Sequence, residues 1–210
     1  MARKSCLLLS LCCLTAFIGW TATVLIFDIQ AIGPDGSTVG LAELNRFVHH
    51  LTGVHMALYV ATDRLSIIPL FFVAVFGLLG LRQWIQRKAL DKVDRSILVL
   101  GGFYAATLAA FLFFEKFIVN YRPVLIDGIL EASYPSSTTM LVVCVMSTAA
   151  IQWKKRIQNS SLKKWGVFLI HGFTVFMVIG RLLSGVHWFT DIVGGILLST
   201  GLVLLYAGLQ

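Results

Sequence analysis

Charge is what this 210-residue chain has least of. Asp, Glu, Lys and Arg together make 13% of it, against 58% apolar residues. Soluble domains of this size carry roughly a quarter charged and about half apolar residues, so a water-soluble globule is excluded. Proline is scarce, four in all, and no low-complexity run occurs, which excludes a disordered chain. Acidic residues number ten against seventeen basic ones, a net charge of +7. In a soluble protein that excess would point to nucleic acid. Here the basic residues sit in short loops between apolar runs, where membrane topology accounts for them, and no nucleic-acid partner is expected. The four cysteines, Cys6, Cys12, Cys13 and Cys144, all lie inside apolar runs without metal-ligand spacing. They read as small buried apolar residues rather than disulfide partners.

What the chain has in quantity is long hydrophobic runs. Six are long enough to cross a bilayer, which takes roughly 17 to 25 residues. They are Cys6–Phe27, Leu65–Ile85, Ser96–Phe114, Thr138–Trp153, Trp165–Leu183 and Trp188–Tyr206. The fourth is short and is expected to start one turn earlier. Backbone inside lipid must satisfy its own hydrogen bonds, so the reading is an all-α polytopic membrane protein, a single bundle of six transmembrane helices over residues 1–210. The first run follows Arg3 and Lys4 but is longer than a signal-peptide core and precedes no small-x-small cleavage site. It is read as a retained signal-anchor helix.

Twelve of the seventeen basic residues fall before the first run, from the end of the second run to the start of the third, and between the fourth and fifth. Those loops are assigned to the cytoplasm, with both termini, which makes the protein an integral plasma-membrane protein. On this topology the sequon Asn159-Ser160-Ser161 faces the cytoplasm and stays unglycosylated. Residues 28–64 form an extracytoplasmic loop. In it Leu44, Phe47, Val48 and Leu51 follow helical spacing, which predicts a short amphipathic helix on the outer leaflet. Its role is either to guide a lipid headgroup or to cap the bundle.

The remaining basic residues are Arg46, Arg64, Lys116, Arg122 and Arg181. Three of these lie at ends of apolar runs, beside three polar segments: EKFIVNYRPV (115–124), SYPSSTTM (133–140) and GRLLSGVHWFTDIVGG (180–195). All three segments fall at one membrane depth, on the extracytoplasmic face. Lys116, Arg122 and Arg181 suit a tetrahedral anion, and arginine forks match phosphate oxygens. Pro135-Ser136-Ser137 opens a helix whose free N–H groups and dipole favour phosphate. His187 and Asp191 are spaced i, i+4, which on a helix places them on one face. A carboxylate holding one imidazole nitrogen leaves the other free to attack phosphorus.

These segments resemble the type 2 phosphatidic acid phosphatase superfamily. Its signatures are Lys-x6-Arg-Pro, Pro-Ser-Gly-His and Ser-Arg-x5-His-x3-Asp. This chain has Lys116-x5-Arg122-Pro123, Pro135-Ser136-Ser137-Thr138 and Gly180-Arg181-x5-His187-x3-Asp191. The resemblance covers roughly residues 65 to 208. It implies hydrolysis of a membrane-embedded lipid phosphate or pyrophosphate, with no cofactor and no metal. His187 would be the nucleophile and Asp191 its orienting group. Lys116, Arg122, Arg181, Ser136, Ser137 and Thr138 would hold the phosphoryl group.

The chain departs from the family in three places. The first signature is one residue short, Gly180 stands for Ser, and Thr138 stands for the second histidine, whose role is general acid. Loss of a general acid typically costs about 10²–10⁴ in rate. An alkoxide leaving group needs that proton. A phosphate monoester, with a pKa near 6, leaves without it. A polyprenyl or other lipid pyrophosphate is therefore the expected preferred substrate, unless His49, His50 or His55 replaces the missing acid. His171 is expected to be a neutral, hydrogen-bonded residue inside the bundle. The alternatives are a catalytically impaired relative that binds or moves phospholipid without turnover, and a small anion transporter. The second is disfavoured because its cations would sit at the mouth rather than the midplane.

Overall fold

The computed structural model describes residues 3–210. Eight α-helices follow in order: α1 (Arg3–Ile26), α2 (Ala42–Thr52), α3 (Met56–Leu65), α4 (Ile67–Arg87), α5 (Arg95–Lys116), α6 (Ser137–Arg156), α7 (Ser160–Leu183) and α8 (Phe189–Leu209). The polar loops around 28–55, 117–136 and 184–188 gather at one end of the bundle. The basic loops lie at the other end.

Five helical stretches are long and apolar enough to cross a membrane: α1, α3 with α4 as one 32-residue stretch, α5, α7 and α8. The protein is an integral membrane protein. The fourth expected span corresponds to α6, which has the length, 20 residues, but not the hydrophobicity of the others. The reason is its position. It packs against α4, α5, α7 and α8 and buries eleven of its residues, where α4 buries only Pro69 and Phe76. A helix wrapped by other helices need not be uniformly apolar, since its polar groups meet protein instead of lipid. Thr148 lies 3.2 Å from the Tyr104 hydroxyl, Gln152 donates to the Tyr206 hydroxyl, and Arg156 pairs with Asp94 at 2.9 Å.

α1 lies antiparallel along α8. The Ser10 hydroxyl donates to Gly201 O at 2.7 Å, and a Cβ on Gly201 would sit 2.7 Å from Leu14 Cδ2. Asn159 is the N-cap of α7, its side chain accepting from Leu162 N at 2.9 Å, so the sequon residue has a structural task. All four cysteines are free.

One expectation is corrected. His171 is exposed on α7 and makes no hydrogen bond among the described residues. Ile170, Phe173 and Met177 take the inward face of α7 at helical spacing. A residue one step along from Ile170 is turned about 100° away from that face.

The close α1–α8 seam yields a test. Gly201→Leu forces Leu14 aside and should destabilise the protein by about 1–3 kcal/mol, read as a lowered thermal midpoint in detergent.

Candidate active site

Three loops meet above α6 and α8. The first, residues 117–136, leaves α5 as non-helical chain and folds back as a hairpin-like turn. Arg122 N donates to Glu131 O at 3.0 Å and Ser133 N to Asn120 O at 2.9 Å. Asp127 and Gly128 both have positive φ, 50° and 77°, as a type I′ turn requires. That turn, bordered by Leu125-Ile126 and Ile129-Leu130, is a legible hairpin signal that the sequence reading passed over.

The hairpin presents Arg122, which is 7% exposed. Its Nε lies 2.9 Å from Glu131 Oε2 and its Nη1 lies 3.3 Å from His187 Nε2. From the end of α7, Arg181, 1% exposed, brings Nη2 to 3.5 Å from the same nitrogen. Two guanidinium groups thus converge on one imidazole nitrogen. Arginine only donates, so Nε2 is the acceptor and the ring proton sits on Nδ1.

Asp191 is on the Nδ1 side, but the predicted helical pairing is corrected. α8 starts at Phe189, so His187 lies in the loop before it, and Nδ1 is 3.6 Å from Asp191 Oδ2, beyond hydrogen-bonding distance. The Asp191 carboxylate instead accepts from Trp188 N at 2.9 Å, as a residue in the first helical turn does, and from Asn120 Nδ2 at 3.3 Å. It orients the loop that carries His187 by capping the helix behind it.

α6 begins differently from expectation too. Pro135 precedes the helix, after a cis peptide bond, and Ser136 is the N-cap, its hydroxyl accepting from Thr139 N at 3.4 Å. Ser136 N donates to Asp191 O at 3.0 Å, which pins the start of α6 beside His187. Ser137 and Thr138, at the first two helical positions, keep N–H groups with no intrahelical acceptor. The close approach of α6 to α8 depends on small residues, since a Cβ on Gly195 would fall 3.1 Å from Thr139 Cβ.

Lys116 is not brought in. It ends α5, is exposed, and makes no ion pair or hydrogen bond among the described residues. None of the three loop histidines makes a hydrogen bond to Thr138 among the described residues. His49 Nε2 lies 3.1 Å from Gly185 O, His55 Nε2 lies 2.9 Å from Thr52 O, and His50 is exposed.

Several residues not singled out from the sequence prove central. Thr190 is a hub between Asn45 of α2, Asn120 of the hairpin and Trp20 of α1. Asn45 Nδ2 and Asn120 Nδ2 donate to its hydroxyl at 3.0 and 3.3 Å. Asn45 Oδ1 accepts from its N–H at 3.1 Å, and Trp20 Nε1 donates to its carbonyl at 3.1 Å. Arg181 rests on α3: Nη1 is 3.4 Å from Thr62 Oγ1 and the guanidinium lies 4.9 Å from the Tyr59 ring centroid. Here Gly180 acquires a reason. A Cβ at that position would meet Thr62 Cγ2 at 2.8 Å, so glycine lets α3 bring a hydroxyl to the arginine. No sequence signal marks these contacts, because each joins positions far apart in the chain.

Beside the site a groove of about 620 Å³ runs between α4 and α5, floored by α6. Ser137, Thr138, Asp63 and Ser66 line its polar part, and residues such as Leu70, Leu108 and Val145 the rest. Among the described residues no three His, Cys, Asp or Glu side chains group as metal ligands. The arrangement offers two guanidinium groups, two free backbone N–H groups and an imidazole acceptor to a compact anion, beside a largely apolar groove.

With this geometry in hand, the comparisons are specific. The family model described as PAP2 superfamily matches residues 10–210, and the chain belongs to that superfamily. It is also similar in fold to a solved structure, the crystal structure of the first transmembrane PAP2 type phosphatidylglycerolphosphate phosphatase from Bacillus subtilis. That match has a TM-score of 0.63 and 19% identity, over 95% of this chain and 93% of the other. No curated protein matches the chain.

The buried imidazole has a pH consequence. Burial, then Arg122 and Arg181, hold His187 well below its ordinary value of 6.5. Below pH 6.5 the unfolded chain binds a proton there that the folded protein does not. Stability is then independent of this group above that pH and falls as the pH drops beneath it. Between about pH 8 and about pH 5 in detergent, acidification should be more destabilising to the wild type than to His187→Gln, read as the difference in thermal midpoint.

Proposed function

We propose that this protein is a membrane lipid phosphatase that removes a phosphoryl group from a lipid phosphate and, preferentially, from a polyprenyl or other lipid pyrophosphate. The observation that carries this reading is the convergence of Arg122 and Arg181 on His187 Nε2. Two buried guanidinium groups, only one paired with a carboxylate, favour a phosphoryl group between them. The neutral imidazole is competent to attack at neutral pH.

The reaction runs through a phosphohistidine. Nε2 attacks phosphorus while the arginines and the free N–H groups of Ser137 and Thr138 stabilise the equatorial oxygens. The Ser136 hydroxyl caps α6 and so aims those N–H groups. The leaving lipid phosphate departs without a proton, which removes the demand that Thr138 cannot meet. No metal is required for any of these steps. The lipid chain lies in the groove between α4 and α5, whose apolar walls continue away from Thr138.

In the bilayer α6 completes a set of six spans, as the fourth in chain order, shielded by its neighbours. The charge of the basic loops supports a cytoplasmic side for them and both termini, and so a site on the extracytoplasmic face of the plasma membrane. α2 then lies in the outer leaflet. Leu44, Phe47 and Leu51 are exposed on it, while Asn45 faces inward. The three apolar side chains suit an interfacial helix.

The test is phosphate release by detergent-purified protein without added metal. Release should be faster from a prenyl pyrophosphate than from phosphatidic acid, and should vanish in His187→Ala. Faster release from phosphatidic acid overturns the substrate preference. Arg122→Ala and Arg181→Ala should each lose about 10²-fold or more. Lys116→Ala should stay within a few-fold, as an exposed charge contributes about 0–1 kcal/mol.

A further inference from the structure

Position 138 holds no titratable side chain, and His49 and His55 bond to carbonyls elsewhere, yet a carboxylate lines the same groove. Asp63, in the last turn of α3, lines the groove opposite Ser137 and Thr138 and is the one carboxylate to do so. Its register fixes where along the groove it stands. Tyr59, four residues earlier on the same face, touches the Arg181 guanidinium, and Ser66, three residues later, lines the groove. Thr62, one residue before it, is turned onto Arg181. Asp63 therefore sits where the groove meets Arg181, and it is exposed.

We propose that Asp63 is the general base for the second half of the reaction, a reading that rests on the phosphohistidine step above. After the lipid phosphate has left, a water molecule must attack the phosphoryl group on His187. Its oxygen forms a bond to phosphorus, and the P–Nε2 bond breaks with its electron pair returning to Nε2. The proton lost by the water passes to the Asp63 carboxylate, the product is inorganic phosphate, and Asp63 returns the proton to solvent at the groove mouth. A base is needed only in the second half, since the first half has a leaving group that needs no acid.

The experiment uses the full chain in detergent and a prenyl pyrophosphate labelled with ³²P in its terminal phosphoryl group. Bound label is trapped by quenching in alkali, which preserves phosphohistidine. In Asp63→Asn, phosphate release should fall by about 10²–10⁴ while label accumulates on the protein. Asp63→Glu should retain most of the release. Adding Thr138→His to Asp63→Asn should restore at least part of it, by returning a titratable group to the opposite wall. His187→Ala should carry no label. If Asp63→Asn releases phosphate like the wild type, and the wild type is labelled at His187, Asp63 is not the base and the phosphohistidine reading survives. If release falls without accumulation of label, Asp63 acts in folding or the first half, and the proposal is overturned. If the wild type shows neither label nor release, the phosphohistidine reading falls and the base with it.

Discussion

Two guanidinium groups held out of water around one neutral imidazole are the constraint on which the rest of this structure depends. Each buried arginine carries a desolvation cost of several kcal/mol unless it is bonded. The protein answers differently for the two. Arg122 is anchored by its own hairpin, through the carboxylate and carbonyl of Glu131. Arg181 has no carboxylate and is instead steadied by a hydroxyl and an aromatic face from α3. That asymmetry leaves the Arg181 guanidinium without an ion-pair partner of its own, suited to bonding an anion. It also explains why α3 runs on into α4 rather than ending as loop: its last turns form a wall of the site.

The backbone around His187 is held by a network rather than by any single contact. Thr190 collects bonds from α1, α2 and the hairpin, and Asp191 beside it closes the first turn of α8 and accepts from Ser136 N through its carbonyl. Four chain segments are tied within two residues of one another. α2 is part of this clamp through Asn45, while its apolar side chains point away from the bundle. Whatever α2 rests on is thereby mechanically linked to the loop bearing His187.

Much of this was legible in the sequence. Long apolar runs separated by basic loops specify membrane helices because lipid offers no partner for exposed backbone. The spacing of Arg181, His187 and Asp191 marked one loop as chemically loaded. α6 was the least legible helix, since helices on all sides relieve it of the need to be apolar. The Asp127-Gly128 turn was legible but overlooked. The helical pairing of His187 with Asp191 fails because periodicity continues through a helix start, whereas the N-cap interrupts the geometry one residue after the histidine.

What the sequence by itself determined is the class of architecture, the family and the polar segments that share one end of the bundle, because hydrophobic length and motif spacing are local properties of the chain. Only the tertiary structure decided that Lys116 stands apart while Arg122 and Arg181 meet. It alone decided that Gly180 makes room for Thr62, and that Asn45, Asn120 and Thr190 form one network. It alone set Asp63 across the groove from Thr138. Each of these joins residues separated by tens of positions, and such contacts follow from how helices pack in three dimensions, which no local pattern of residues encodes.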